Sequence, residues 1–213
     1  MKRALASGLL LLLGLHLAQG PAAAASLSRR YVHYTLVSPT LSRLQQELSR
    51  QGPTVDSTGE RHPGATRIEI QLKVDYELHG GYCRVARADA TVNARITLPR
   101  WKPPRQPPRN ERIVWETLIA DIRRHEDRHV GIAMNHAREL EQAVASLDRE
   151  RDCRRLEQRV DRLTARILDR HSKAQERFDR IESTNFEDRL GRLLDYRLQR
   201  TEKRQGPGRF SSP

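Results

Sequence analysis

Five consecutive residues of this 213-residue chain have types and a spacing that could do chemistry: His125-Glu126-Asp127-Arg128-His129. In an α-helix each residue advances ~100° around the axis and ~1.5 Å along it, so His125 and His129 stand ~40° and ~6 Å apart. Both imidazoles then reach one metal ion from a single face. The pattern is HExxH. Its expected cofactor is Zn2+, held by His125 and His129, with Glu126 beside them as general base. Zinc polarises a carbonyl and brings a water's pKa toward ~7, and the glutamate takes that water's proton. The expected reaction is hydrolysis of a peptide bond in a peptide or protein substrate.

Zinc needs a third protein ligand, and the sequence offers five candidates: His136, Glu139, Glu150, His171 and Asp179. The extended metzincin pattern is excluded, because Ile132 and Asn135 stand where it needs Gly and His. His136 shares the face of His125 but lies ~10 Å beyond His129 on a straight helix. The remaining candidates depend on how the chain returns. The polar run Asp148-Arg149-Glu150-Arg151-Asp152 is either a hairpin turn or the exposed middle of one long helix. A turn there would set His129 opposite His171 and His125 opposite Gln175, with Asp179 further along.

These residues need elements to position them. From Asn110, read as an N-cap, helical apolar spacing runs through Val114, Leu118, Ile122, Ile132, Leu140 and Leu147. It resumes through Leu156, Val160, Leu163, Ile167, Ala174, Phe178 and Ile181, and again through Phe186, Leu190, Leu194 and Leu198. Upstream, Tyr31 to Leu36 reads as a short strand, and Leu41, Leu44 and Leu48 as a helix ended by Gly52-Pro53. Ile68, Ile70, Leu72, Val74 and Tyr76 alternate with polar residues, as do Ala88, Ala90, Val92, Ala94, Ile96 and Leu98. Gly80-Gly81 between these runs marks a turn, and the parity break at Cys83 and Val85 predicts a bulge near Ala86. Five prolines between residues 99 and 108 predict an extended connector. The expected fold is α+β: a small antiparallel sheet with helices, a zincin-like HExxH helix and a helical C-terminal part. Expected boundaries are 26–190 for the domain, divided at 108 and 109 into sheet and helical parts, and 191–213 for a helical or disordered basic tail.

Residues 1–25 read as an export signal: Lys2 and Arg3, an apolar run from Leu9 to Leu15, then Ala22 to Ala25. The run is too short for a permanent membrane span. The protein is therefore expected in the periplasm or outside the cell after cleavage. An oxidising compartment would join Cys83 and Cys153, its only cysteines.

The order of features resembles a known family. It runs from the signal through Tyr31, Gly52-Pro53, Cys83, Leu98-Pro99-Arg100-Trp101, Trp115 and His125-Glu126-x-x-His129 to Cys153. Residues 30–182 resemble the bacterial proteins described as predicted secreted zinc-dependent proteases, catalogued as a domain of unknown function and placed among the zincin-like folds. The resemblance implies that His125 and His129 are ligands and Glu126 the base. The family also carries a Tyr-Asp-x-x-Thr-x-His-Gly segment near its end. This chain has Phe178-Asp179-Arg180-Ile181-Glu182 there and lacks the His-Gly, which puts the family's ligand set in question at that place.

The charge of +12 falls to +10 when Lys2 and Arg3 leave with the signal. Basic and acidic residues alternate along the helices and aromatic residues are sparse, so nucleic acid is not an expected partner. Electrostatic contact with an anionic envelope surface is expected instead. The competing function is a catalytically inactive exported scaffold or binding protein of the cell envelope, which would need no metal. Oligomeric state is not legible.

Overall fold

The computed structural model describes residues 25–55, 59 and 61–205. The expected export signal, apart from Ala25, and the tail beyond Gln205 lie outside these residues. The elements are β1 (Ser26–Leu36), α1 (Leu41–Gln51), β2 (Ala65–His79), β3 (Tyr82–Trp101), α2 (Arg109–Ala145), α3 (Cys153–Thr184) and α4 (Phe186–Gln205). The fold is α+β, as expected.

β2 and β3 form the antiparallel pair that their alternation predicts. Gly80 and Gly81 turn the chain with φ of 59° and 78°, the left-handed region that a tight hairpin needs and glycine adopts without strain. Asp75 pairs with Arg87 and Tyr76 with Val85, leaving Ala86 over as the bulge. The third strand corrects the expectation of a wholly antiparallel sheet. β1 pairs with β3 in parallel, so the order is β1-β3-β2 and the sheet is mixed. A parallel neighbour requires a crossover, and α1 with β2 supplies it.

β3 runs three residues into the proline segment read as a connector. Pro99 is tolerated there for a geometric reason. The Lys102 amide donates to Leu36 O at 2.8 Å, so even-numbered amides of this stretch point toward β1. The nitrogen of Pro99 points the other way, beyond the last β2 partner, Ala65 opposite Thr97.

One face of β3 is the core. Ala90, Val92, Ala94, Ile96 and Leu98 bury against Ile122, Val130, Ala133, Met134 and Ala137 of α2. Further along, Ala88 packs with Leu140 and Val144 of α2 and with Val160 and Ile167 of α3. Trp101, capped by its indole N–H donating to Ser38 O at 2.7 Å, closes the other end with Leu36, Leu44 and Trp115. α2 begins one residue before the expected cap. Pro108 is the N-cap, and its missing N–H is not needed at a helix start.

The polar run after α2 is a connector, not helix. α2 stops at Ala145, and Asp152 caps α3 by accepting from the Arg154 amide at 3.0 Å. The connector is fastened to β3: Cys83 N donates to Glu150 O and Glu150 N to Cys83 O, at 2.7 and 2.8 Å. The expected Cys83–Cys153 disulfide completes that anchor. Bridging residues 70 apart removes denatured-chain entropy worth about 4 kcal/mol. Replacing both cysteines by serine should therefore lower unfolding free energy by about that amount in urea titrations, without moving the helices.

α4 is fixed to α2 by charge. Arg189 donates to both carboxylate oxygens of Asp121, at 3.0 and 3.1 Å, and Arg124 adds a third bond at 3.0 Å. The Asp121 side chain is 2% exposed. Burial alone would raise its pKa, yet the two guanidiniums hold it below the ordinary carboxylate value. A depressed folded-state pKa contributes stability above the unfolded value near ~4 and loses it as pH falls through the folded one. Asp121→Asn should cost about 3 kcal/mol at neutral pH, and the difference from wild type should shrink below about pH 4 in pH-resolved denaturation.

Candidate metal centre

α2 presents His125 and His129, one turn apart, to the flank of α3, where Asp179 meets both. His125 Nε2 and His129 Nε2 are 3.1 Å apart. Asp179 Oδ1 lies 3.3 Å from the first and 3.0 Å from the second. Donors on a tetrahedral zinc at 2.0–2.2 Å stand ~3.4 Å from one another. The three atoms thus come within a few tenths of an ångström of that spacing, and two imidazoles with one carboxylate suit zinc chemically. His129 is 13% exposed, His125 27% and Asp179 53%, so the cluster opens to solvent past Asp179. Burial would raise the Asp179 pKa, but its bonds to His125 and His129 hold the carboxyl well below the usual range. Burial would depress His129; Asp179 and Gln175 raise it instead.

Two neighbours fix the imidazoles. Phe178 stacks on His125 at 4.9 Å and meets His129 edge-on at 5.1 Å. Gln175 sets the state of His129. Its Nε2 donates to the His129 carbonyl at 3.1 Å, which can only accept. The amide oxygen therefore faces His129 Nδ1, 2.7 Å away, and Nδ1 must donate. In the neutral ring that leaves Nε2 bare and aimed at the cluster. Gln175 Nε2 also donates to His171 Nε2 at 2.8 Å. His171 is a fitting acceptor, since burial and then its neighbours His136 and His129 push its pKa down to about 4. Ligand-orienting partners of this kind alter metal affinity by ~10–100-fold. Gln175→Ala should weaken zinc binding within that range, measured by competition with a chromophoric chelator, while the circular dichroism spectrum stays the same.

Glu126 lies under the start of β2, against Thr66 and Gly64. It is 4% exposed. Thr66 Oγ1 donates to its Oε2 at 2.8 Å. A Cβ at Gly64 would come within 2.7 Å of Oε1, so only glycine leaves room for this carboxylate. Burial raises the Glu126 pKa, partly offset by the Thr66 hydrogen bond and by His125 and His129. The group is more basic than an ordinary glutamate, as proton abstraction needs. Asp127 faces the other side of the helix, where Tyr31 O–H donates to it at 2.6 Å and ties α2 to β1.

Of the five candidate ligands only Asp179 joins the cluster. His136 donates from Nδ1 to Ile132 O, 2.9 Å away. Glu139 pairs with Arg170, and Glu150 with Arg159 at 2.6 Å. His171 supports Gln175. The expected facing of His129 with His171 and of His125 with Gln175 is corrected by four residues, one turn: His129 faces Gln175, and both histidines face Asp179. The cause is the connector, which runs out to β3 before α3 begins. Sequence reasoning gave no role to Gln175, Thr66, Gly64 or Glu182, whose Oε2 lies 3.7 Å from His125 Nδ1. A signal existed for one of them. His171, Gln175 and Asp179 recur every four residues, a polar stripe where the helix faces its neighbour.

Residues 31–187 match the family model described as a bacterial protein of unknown function, DUF922, and the chain belongs to that family. No curated protein matches the chain, and no solved structure does.

Proposed function

We propose that this member of the family is an exported zinc-dependent peptidase, periplasmic or extracellular, acting on a peptide or protein substrate. The observation that supports this most is the spacing of His125 Nε2, His129 Nε2 and Asp179 Oδ1, 3.0–3.3 Å apart, beside a buried glutamate that continues the HExxH motif. Zinc bound there would supply a Lewis acid for a carbonyl and bring a water's pKa toward neutrality.

The chain's own residues do the rest. His125, His129 and Asp179 would hold the ion. Gln175 keeps the proton of His129 on Nδ1. Glu126, anchored by Thr66 and made more basic by burial, takes the proton of the attacking water and passes it to the leaving amine. Phe178 shields one side of both imidazoles from solvent.

The test combines metal analysis with a conservative variant. The purified mature chain should carry about one zinc. Glu126→Gln should retain it yet lose at least ~100-fold in peptide hydrolysis, and Asp179→Ala should lose zinc as well. A chain that takes up no zinc at sub-micromolar free metal, or a Glu126→Gln variant as active as wild type, would overturn the proposal.

A further inference from the structure

The face of the sheet turned away from α2 carries a row of like charge. Arg95 of β3 is in register with Arg30 of β1 and Arg67 of β2. Register partners share a face, so the three side chains leave the sheet side by side, at a strand spacing of ~4.8 Å. All three are exposed, and the residues next to them, Tyr31, Ile96 and Thr66, point inward. Like charges directly opposite one another destabilise a strand pair. Farther along the same face the charges neutralise one another: Arg87 pairs with Asp89 at 2.7 Å and Lys73 with Asp75 at 3.8 Å. Among the described residues, neither Arg30 nor Arg95 is in a salt bridge with a carboxylate, whereas Arg67 has a partner of its own. The row lines a shallow cavity of about 260 Å³, with Ser28, Asn93 and Glu69 at its margin.

We infer that this row is a docking site for an anionic phospholipid surface, the guanidiniums of Arg30 and Arg95 taking headgroup phosphates by bidentate hydrogen bonds. The row is open and lies across a sheet face, which suits a surface better than an enclosed ligand. Its placement suits attachment as well. Arg67 follows Thr66 in the strand, and Thr66 holds Glu126 on the inner face, so the row lies directly behind the metal centre. A protein held by this face keeps His125, His129 and Asp179 turned away from the membrane. The inference does not depend on the peptidase reading.

Cosedimentation of the mature chain with phosphatidylcholine vesicles, with and without phosphatidylglycerol, tests it. Binding should require phosphatidylglycerol and weaken as salt rises. Arg95→Gln should lower the partition coefficient about fivefold and Arg30→Gln by a similar factor, each basic residue near the surface contributing to that extent. Arg87→Gln removes the same charge from the same face but from a neutralised pair, and should change partition less than twofold. Equal losses for Arg95→Gln and Arg87→Gln would reduce the effect to net charge and overturn the site. So would binding no greater than to pure phosphatidylcholine. Displacement by inorganic phosphate at matched ionic strength would assign the row to free phosphate and overturn the membrane reading.

Discussion

The register of α3 against α2 is the constraint on which the candidate metal centre rests. Two of its donors are local, since any helix through residues 125–129 brings His125 and His129 together. The third is not. Asp179 reaches them only because the chain leaves α2 at Ala145, is held at Glu150 and Cys153 by the start of β3, and then returns. A slip of α3 by one turn would put Gln175 or Ser183 at the level of the histidines. The apolar contacts of Val160 and Ile167 with Leu140 and Val144 set the depth of this packing. The polar stripe of His171, Gln175 and Asp179 then sets its register, because each would lose a hydrogen-bond partner on slipping.

Polar groups in a helix interface are costly unless each is satisfied. Here the satisfaction is sequential. The protonation of His129 follows from Gln175, whose orientation follows from the His129 carbonyl, and its second proton has a neutral acceptor in His171. Farther along, Glu182 lies between Arg124 and Arg189, and Arg189 joins α4 to Asp121. The same side of α2 thus carries His125, His129 and the fastening of the last helix, within a few turns.

How legible this was depends on the range over which each feature is determined. The β2–β3 hairpin, the bulge at Ala86 and the helix bearing HExxH follow from periodicity and glycine within a few residues, and each could be read. The parallel placement of β1 could not. Its residues carry no mark of which strand they join, and the choice depends on where α1 returns the chain. The disulfide was legible through the count of cysteines and the expected export. The offset of α3 was not, because it depends on backbone bonds between Cys83 and Glu150 that no side-chain pattern announces. Asp179 therefore stood among five candidates, and only the packing separated it. Gln175 had no chemical signature of its own: a glutamine on a helix is ordinary until its partners are known.

Glu126 is the residue at which the proposed hydrolytic reading and a purely structural one make different physical demands. A scaffold would gain from an apolar residue at this position, since removing a carboxylate from water is expensive and the Thr66 hydrogen bond with the nearby His125 and His129 only partly offsets it. The surroundings are shaped to keep the carboxylate nonetheless. Gly64 leaves the space that a Cβ would fill, where it would meet both the carboxylate and Ile122. A buried group whose pKa is raised, beside two imidazoles that converge on a shared carboxylate, has the properties the proposed base would need. Asp127 shows the contrast within the same motif. It is more exposed, held by a tyrosine and two arginines, and its work is to bind the helix to β1. Adjacent acidic residues on one helix thus divide into one that joins elements and one that the fold isolates beside His125 and His129.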